Sequence, residues 1–316
     1  MSPPVVEHAA LVALLREGRR PWQTYAELVE ETGSALHVLE HELERDEIPQ
    51  ALFDLELAGH ATRATVDVSA ALDQAASELA AWRSDGIEVV TVLDPSYPEN
   101  LRGVHDRPPL LFVSGELVPS DARAIAVVGS RAPRGGSVAT ARRIASDLAG
   151  GGYTVFSGLA AGIDTAAHTA TLAAGGRTIA VVGTGLRRCY PPQNIGLAQR
   201  ITRECALVSQ FWPDSPPTRR SFPMRNAVMS GMTLGTVIVE ASATSGTRIQ
   251  ARLALAQGRP VFIHRALLAQ PWARELATRP GTHPVTNADE VVAVVDRLTA
   301  DEELVGEEFA AGTPRR

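Results

Sequence analysis

From residue 124 onward the chain repeats a pattern that few folds can accommodate. A short run of apolar, often β-branched residues leads into a turn and then into a helical stretch. AIAVVG (124–129) precedes a helix near 137–149, YTVFSG (153–158) one near 163–174, and RTIAVVG (177–183) one near 194–204. ALVSQF (206–211) runs into a Pro- and Arg-rich loop and a helix near 223–231. GTVIVEA (235–241) precedes a helix near 247–257, RPVFIH (259–264) one near 271–278, and a last helix covers about 288–298. Strands without a polar face must be covered on both sides, so the alternation predicts an α/β fold with a mostly parallel sheet between helices. Two further strands, IEVVTVL and PLLFVSG, flank the Pro-rich loop DPSYPENLRGVHDRPP. The domain is expected to span 81–298.

Residues 1–80 read as a small helical region. In TYAELVEETGSALHVLEHELERD, Thr24 is the expected N-cap, Gly33 the stop and Ser34 the next N-cap. Two helices around a Gly also suit a DNA-reading helix-turn-helix. The density of Glu argues against it, because a recognition helix must approach phosphates. His37 and His41 are spaced to share a metal ion, but no third ligand is evident, and a solvated helix face is the simpler reading. Residues 299–316, rich in Asp and Glu, are expected to form a disordered acidic tail.

The chain has 316 residues, of which 45% are apolar, as in a soluble globular protein. No apolar run approaches the ~20 residues of a membrane span, and the N-terminus makes a poor signal peptide. Two cysteines, Cys189 and Cys205, build neither a disulfide framework nor a four-ligand zinc site. A reduced, cytoplasmic protein without metal or cofactor is expected. All 30 basic residues are Arg. Without Lys there is no Walker A loop and no Schiff-base chemistry.

The net charge of −6 hides an asymmetry. Residues 1–120 carry 21 acids and 8 Arg, a net −13, while residues 121–297 carry 10 acids and 20 Arg, a net +10. A basic middle in an acidic chain points to an anionic ligand. In an open parallel sheet such a ligand binds at the carboxyl ends of the strands. Four of those ends read GSRAPRGG (129–136), SGLAAGID (157–164), GTGLRR (183–188) and EASATSGT (240–247). Gly lets backbone N–H groups approach a ligand, and each helix N-terminus adds partial positive charge. With Arg131, Arg134, Arg187, Arg188 and Arg248 beside them, these ends predict a nucleotide or nucleic-acid site. The alternative is a set of tight turns without a ligand. The segment PDSPPTRRSFPMRNAVMSG (213–231) is expected to bring Arg219, Arg220, Phe222, Arg225 and Asn226 to the same edge, a set suited to a phosphate with an attached base.

Other chemistries fit less well. No first-turn Gly-x-Gly-x-x-Gly is present, and no acid ends the second strand of the alternation, so a dinucleotide site is not supported. Ser157, Asp164 and His168 suggest a hydrolase triad, but the chain lacks a Gly-x-Ser-x-Gly elbow. Asp164 and Glu240 are read as scaffold groups. Asp164 would accept backbone N–H bonds, and Glu240 would be held by the N–H groups of SATSGT and by Arg225.

Tyr97-Pro98 with Leu101, GSR, SGLAAGIDTAAH, GTGLRRCYPPQN, FPMRN with Ser230-Gly231, and EASATSGT occur in one order over residues 86–262. In this the chain resembles the bacterial DNA-processing protein A (DprA, or Smf) family. The resemblance implies an extended Rossmann-like, doubly wound, mostly parallel sheet. It implies a non-enzymatic protein that binds and protects single-stranded DNA at the strand ends, delivers it to the recombinase RecA during natural transformation, and acts as a homodimer. By motif, the binding residues are Gly129, Ser130, Arg131, Ser157, Gly158, Gly162, Asp164, Gly183, Gly185, Asn194, Arg225, Asn226, Ser245, Gly246 and Thr247. Ala161, Pro192 and Ala227 stand where the family often carries a basic residue, with Arg248 as a compensating charge. Ile263-His264-Arg265 and QPWARELATRPGT also depart from the family pattern. An alternative within the same fold superfamily is an enzyme or sensor of nucleotide phosphates, similar to the lonely-guy phosphoribohydrolases. Of their Pro-Gly-Gly-x-Gly-Thr signature the chain keeps only Gly246-Thr247.

Overall fold

The computed structural model describes residues 3–44, 67–242 and 245–311. The expectations for residues 45–66 and 312–316 lie outside the described residues. The chain divides into two compact units. One comprises residues up to Tyr97 together with His105–Ser114; the other comprises Pro98–Val104 and everything from Gly115. Most of IEVVTVL and PLLFVSG falls in the first unit.

The first unit contains α1 (Pro3–Glu17), α2 (Trp22–Thr32), α3 (Ala35–Glu44), α4 (Val68–Ser84), β1 (Glu88–Thr91) and β2 (Leu110–Gly115, whose last residue is assigned to the second unit). β1 and β2 pair antiparallel. α2 begins before Thr24, which sits inside the helix rather than capping it. Gly33 does end α2, with φ +69° and its N–H on Val29 O, the left-handed stop that Gly favours. Ser34 Oγ accepts the N–H of His37 at 3.2 Å. Glu7 from α1 takes the N–H groups of Ala35 and Leu36. Much of the acid density is spent inside the unit: Glu30 pairs with Arg107, Glu42 with Arg20 and Asp94 with His8.

The second unit begins with the short α5 (Glu99–Arg102). It continues through β3 (Ala124–Gly129), α6 (Ser137–Gly150), β4 (Thr154–Ser157), α7 (Ile163–Ala173) and β5 (Thr178–Val181). Then come α8 (Ile195–Glu204), β6 (Ala206–Ser209), α9 (Ser221–Gly231), β7 (Gly235–Glu240), α10 (Thr247–Ala256), β8 (Val261–His264), α11 (Pro271–Ala277), β9 (Thr282–Val285) and α12 (Ala288–Ala311). Its strands are parallel in the order β6-β5-β4-β3-β7-β8-β9. This is the expected doubly wound sheet. Ile125, Val127, Val155, Val237 and Phe262 bury one face against Ile144, Leu148, Ile163, Val291 and Val295 of α6, α7 and α12. Each such side chain contributes about 1.5–3 kcal/mol.

Two elements differ from expectation. β9 reads THPV and has the look of a loop, yet it lies at the end of the strand order, where Pro is tolerated. α12 continues to Ala311, so the acidic stretch expected to be disordered from 299 is helical that far. Its charge suggested disorder, but Ala, Glu and Leu are strong helix formers.

Candidate functional site

The chain moves outward from β3 through β4 and β5 to β6, then returns to place β7 on the other side of β3. The crevice between β3 and β7 is therefore the switch point, where open α/β sheets bind ligands. A cavity of about 510 Å³ opens there. Val128–Ala132 after β3 form one lip, and Ser242 with Ser245–Thr247 before α10 form the other. Phe222, Pro223, Arg225, Asn226 and Met229 of α9, together with Arg219, form the wall, and Asp164 of α7 is among the deeper groups.

Local chemistry sets this shape. The β3–β7 register shifts at Val128/Gly129, so that Gly129 opposes Glu240. A Cβ on Gly129 would lie 2.7 Å from Ile163 Cγ1 and 2.9 Å from Glu240 O. Ser130 Oγ accepts the N–H of Ala132 at 3.1 Å, which turns the chain and leaves Arg131 exposed. On the other lip, Ser245 Oγ accepts the Thr247 N–H at 3.2 Å, and Thr247 Oγ1 donates to Gly129 O at 3.3 Å. That last bond ties the lips together. α10 begins at the cavity, so its first-turn N–H groups and dipole favour an anion.

The charges fall into two sets. Arg131 is exposed, with its guanidinium 5.0 Å from the centre of the Phe222 ring, a cation–π contact of ~0.5–1 kcal/mol. Arg219 is also exposed at the rim. Neither forms an ion pair among the described residues. Arg225, by contrast, is 5% exposed, and its Nη1 donates to Gly158 O at 2.5 Å and Val181 O at 2.6 Å. Its Nε donates to Asn226 Oδ1 at 3.0 Å. Asp164 Oδ2 accepts the N–H groups of Gly158 at 3.1 Å and Ala160 at 3.3 Å. Burial raises the Asp164 carboxyl above its ordinary range against the pull of Arg225. Burial likewise lowers the Arg225 guanidinium, to about 10. Desolvation thus outweighs mutual attraction for both partners, although Arg225 remains charged at neutral pH.

Of the residues predicted from sequence, Gly129, Ser130, Arg131, Asp164, Arg225, Asn226, Ser245, Gly246 and Thr247 line this one cavity. Ser157, Gly158, Gly162, Gly183, Gly185 and Asn194 do not line it. Ser157 Oγ donates to Val127 O at 2.7 Å. A Cβ on Gly158 would overlap the Arg225 guanidinium, one on Gly183 would lie 2.9 Å from the Phe222 ring, and one on Gly185 would strike the Trp212 and Pro213 carbonyls. Gly162, at φ +85°, lies against Ser130 O and Pro133. Asn194 Nδ2 donates to Leu159 O at 2.8 Å and Thr165 Oγ1 at 2.9 Å, bracing the turn after β4. Each of these residues has protein packed beside it.

Ser157, Asp164 and His168 do not form a triad, since their partners lie elsewhere. Thr178 Oγ1 donates to Val155 O, so the His168 Nδ1–H donates to Thr178 Oγ1, at 2.7 Å. His168 Nε2 is buried without a partner among the described residues. Burial, reinforced by the charge of Arg225, lowers the imidazole to about 3. Glu240 accepts the Arg134 N–H at 3.0 and 3.2 Å; among the described residues it makes no bond to Arg225, and the expectation for the N–H groups of residues 243 and 244 lies outside the described residues. Arg187 pairs with Asp214 at 2.8 Å, and Arg188 Nε donates to Asp214 O at 2.7 Å, so this edge is partly neutralised. Gln250, which also lines the cavity, was missed. It lies three residues after Thr247 on the same helix face, so helical periodicity was the available signal.

Residues 88–296, well over half of the chain, match the family described as DNA recombination-mediator protein A. The DNA processing protein DprA of Bacillus subtilis is 36% identical over 196 residues, covering 62% of this chain and 66% of that protein. The protein Smf of Escherichia coli is 39% identical over 199 residues, covering 62% of this chain and 53% of that protein. The chain thus spans between about half and two thirds of the length of these curated relatives. The crystal structure of DprA from Streptococcus pneumoniae is 28% identical, with a TM-score of 0.68 over 90% of this chain and 97% of that one. DNA processing protein A from Helicobacter pylori, described with a single-stranded DNA binding mode, shares the fold at a TM-score of 0.59 and 24% identity, over 68% of this chain and 96% of that one.

Proposed function

The chain belongs to the DNA recombination-mediator protein A family, and from that premise we propose that it is a DNA-processing protein that binds single-stranded DNA in the cavity between β3 and β7. The observation that carries this reading is a single cavity lined by two exposed arginines, Arg131 and Arg219, by Phe222 under the Arg131 guanidinium, and by hydroxyls and a helix N-terminus. The cations suit phosphates, and the aromatic face suits a base of any sequence. Arg131, Ser130, Gly246, Thr247 and Asn226 face the DNA in this reading, while Arg225 and Asp164 hold the cavity floor. Protection of incoming DNA, loading of RecA and a homodimeric, cytoplasmic protein belong to the same proposal. Among the described residues no helix is long and apolar enough to cross a membrane.

The protein acts by binding and not by chemistry in this reading. Both carboxylates at the strand ends are engaged: Asp164 is buried on backbone N–H groups and Glu240 is held by the Arg134 N–H. A phosphoribohydrolase would need such a group free to act on a nucleotide.

The test is an affinity titration with single-stranded DNA, duplex DNA and nucleoside monophosphates over a range of salt. Affinity for the single strand is expected to fall with a log–log slope of about −0.7 per phosphate contacted. Arg131→Ala is expected to weaken binding at least tenfold, from the ~1.5–3 kcal/mol of a charge-assisted contact, with Tm unchanged. Equal affinity for duplex, or an unaltered Arg131→Ala variant, overturns the reading. So does release of free base from a monophosphate.

A further inference from the structure

A second cavity, of about 360 Å³, lies on the outer side of α10 and meets the first at Ser245 and Ile249, which line both. Its other walls are Arg248 and Arg252 of α10, Trp272 and Glu275 of α11, and Arg279. Three cations and one carboxylate surround this space. Arg248 and Arg252 are four residues apart, neighbours on one helix face about 6 Å apart along its axis. Like charges at that spacing oppose the helix that carries them. Both are exposed. Arg252 makes no ion pair among the described residues, and Arg279 reaches Glu275 only at 3.9 Å. Trp272 is 8% exposed, and the Arg248 guanidinium lies 5.5 Å from the centre of its ring.

This wall repeats the composition of the first cavity, which Arg131, Arg219 and Phe222 line. In both, an arginine lies over a ring, and here three arginines share one carboxylate, Glu275. Cations along a groove follow the backbone of a single strand without reading its sequence.

We propose that the cavity bounded by Arg248, Arg252, Trp272 and Arg279 carries the next stretch of the same DNA strand, which crosses from the first cavity over Ser245 and Ile249. The inference rests on the reading of the first cavity as a single-stranded DNA site. It makes the segment from 271 to 279 part of the binding surface and gives the strand a path across the N-terminal half of α10.

Length dependence tests it. Oligothymidylates of about 5 and about 20 nucleotides bracket the ~4–16-nucleotide site sizes of comparable grooves. The double variant Arg252→Glu/Arg279→Glu is expected to lose at least tenfold in affinity for the long oligomer and to change little for the short one. Its salt slope on the long oligomer is expected to be shallower by about 1.4, two phosphates at ~0.7 each. Arg131→Ala is expected to weaken both lengths. Trp272 emission is expected to be quenched by the long oligomer only, read as the signal lost in Trp272→Phe. If Arg131→Ala loses binding while the double variant binds both lengths as the wild type does, the second cavity is not on the path and the first reading stands. If the wild type binds neither length, the single-strand reading itself fails. All of the charge substitutions are at exposed positions, so an unchanged Tm is the expected control.

Discussion

The turn after β4 and the turn before α10 read almost alike, SGLAAGID and SATSGT, yet the structure uses them in opposite ways. In the first, both polar side chains are spent on backbone groups of the protein. Ser157 donates to Val127 O, Asp164 takes two backbone N–H groups, Arg225 fills the space beside Gly158, and Asn194 holds Leu159 O. In the second, no described residue lies within 4 Å of where a Cβ on Gly246 would be, Ser245 Oγ donates to Thr247 Oγ1, and Thr247 Oγ1 donates to Gly129 O at the cavity lip. One turn is the floor and the other the mouth. A Gly-rich strand end therefore marks a close approach of backbone to something, and only the surroundings say whether that is ligand or protein.

The largest expected effect breaks the floor. Asp164 and Arg225 are both buried, and each is shifted toward its neutral form by desolvation. Removing Arg225 leaves the buried Gly158 and Val181 carbonyls without their donor, and removing Asp164 leaves the Gly158 and Ala160 N–H groups without their acceptor, at about 1–3 kcal/mol per group. Asp164→Ala and Arg225→Ala are each expected to lose that much in denaturant unfolding. Both bond to Gly158, so the double variant is expected to lose less than the sum. A fully stable Asp164→Ala that has lost DNA binding would place this turn in the mouth after all.

Glycine replacements test the comparison directly. Gly158→Ala pushes a methyl group into the Arg225 guanidinium, which cannot retreat without giving up Gly158 O and Val181 O. Overpacking of this kind costs about 1–3 kcal/mol. Gly246 has φ −57° and ψ −20°, which Ala adopts freely, so Gly246→Ala is expected to leave stability level or raise it by up to ~1 kcal/mol. Its penalty falls on DNA affinity, because the methyl group projects into the mouth. Equal stability losses in the two variants would erase the distinction.

The chain's alternation made the parallel sheet legible, because apolar runs such as AIAVVG and RTIAVVG admit no exposed face. A cavity at the strand ends was legible for the same reason, since strand order sets where crevices open. What was not legible is which glycines line that cavity. Gly183 makes room for Phe222 and Gly158 for Arg225, residues far away in sequence that only the packed α9 brings near. The same holds for Arg225, whose Nη1 donates to two carbonyls distant in sequence. β9 escaped notice because edge position, not propensity, permits Pro284.

A smaller effect appears with acid. His168 is held neutral at about 3 by burial, against about 6.5 in the unfolded chain. A group whose folded pKa is depressed contributes stability that is present above the unfolded value and lost as pH falls toward the folded one. Wild-type stability is thus expected to decline between pH ~6.5 and ~3, with up to ~1.4 kcal/mol per pH unit from this residue. His168→Gln keeps a donor for Thr178 Oγ1 and does not titrate, so its decline is expected to be shallower by that slope. Parallel curves for the two proteins in denaturant titrations at pH 7.5, 5.5 and 4.5 would assign the acid sensitivity elsewhere.

The smallest effect belongs to the mouth, at Glu240. Its carboxylate accepts the Arg134 N–H, and Glu240 stands opposite Gly129, which lines the proposed DNA site. Glu240→Gln keeps an oxygen for that bond and removes the charge, so stability is expected to change by less than ~0.5 kcal/mol, as for surface substitutions. Removing a negative charge beside a phosphate site favours the anion. A solvent-screened charge is worth ~0–1 kcal/mol, so DNA affinity is expected to rise by no more than about fivefold, and less at high salt. A protein that used Glu240 for chemistry would respond in the opposite way, losing base release from nucleoside monophosphates with its fold intact. The sign of this small change therefore separates a carboxylate that shapes the mouth from one that acts on what enters it.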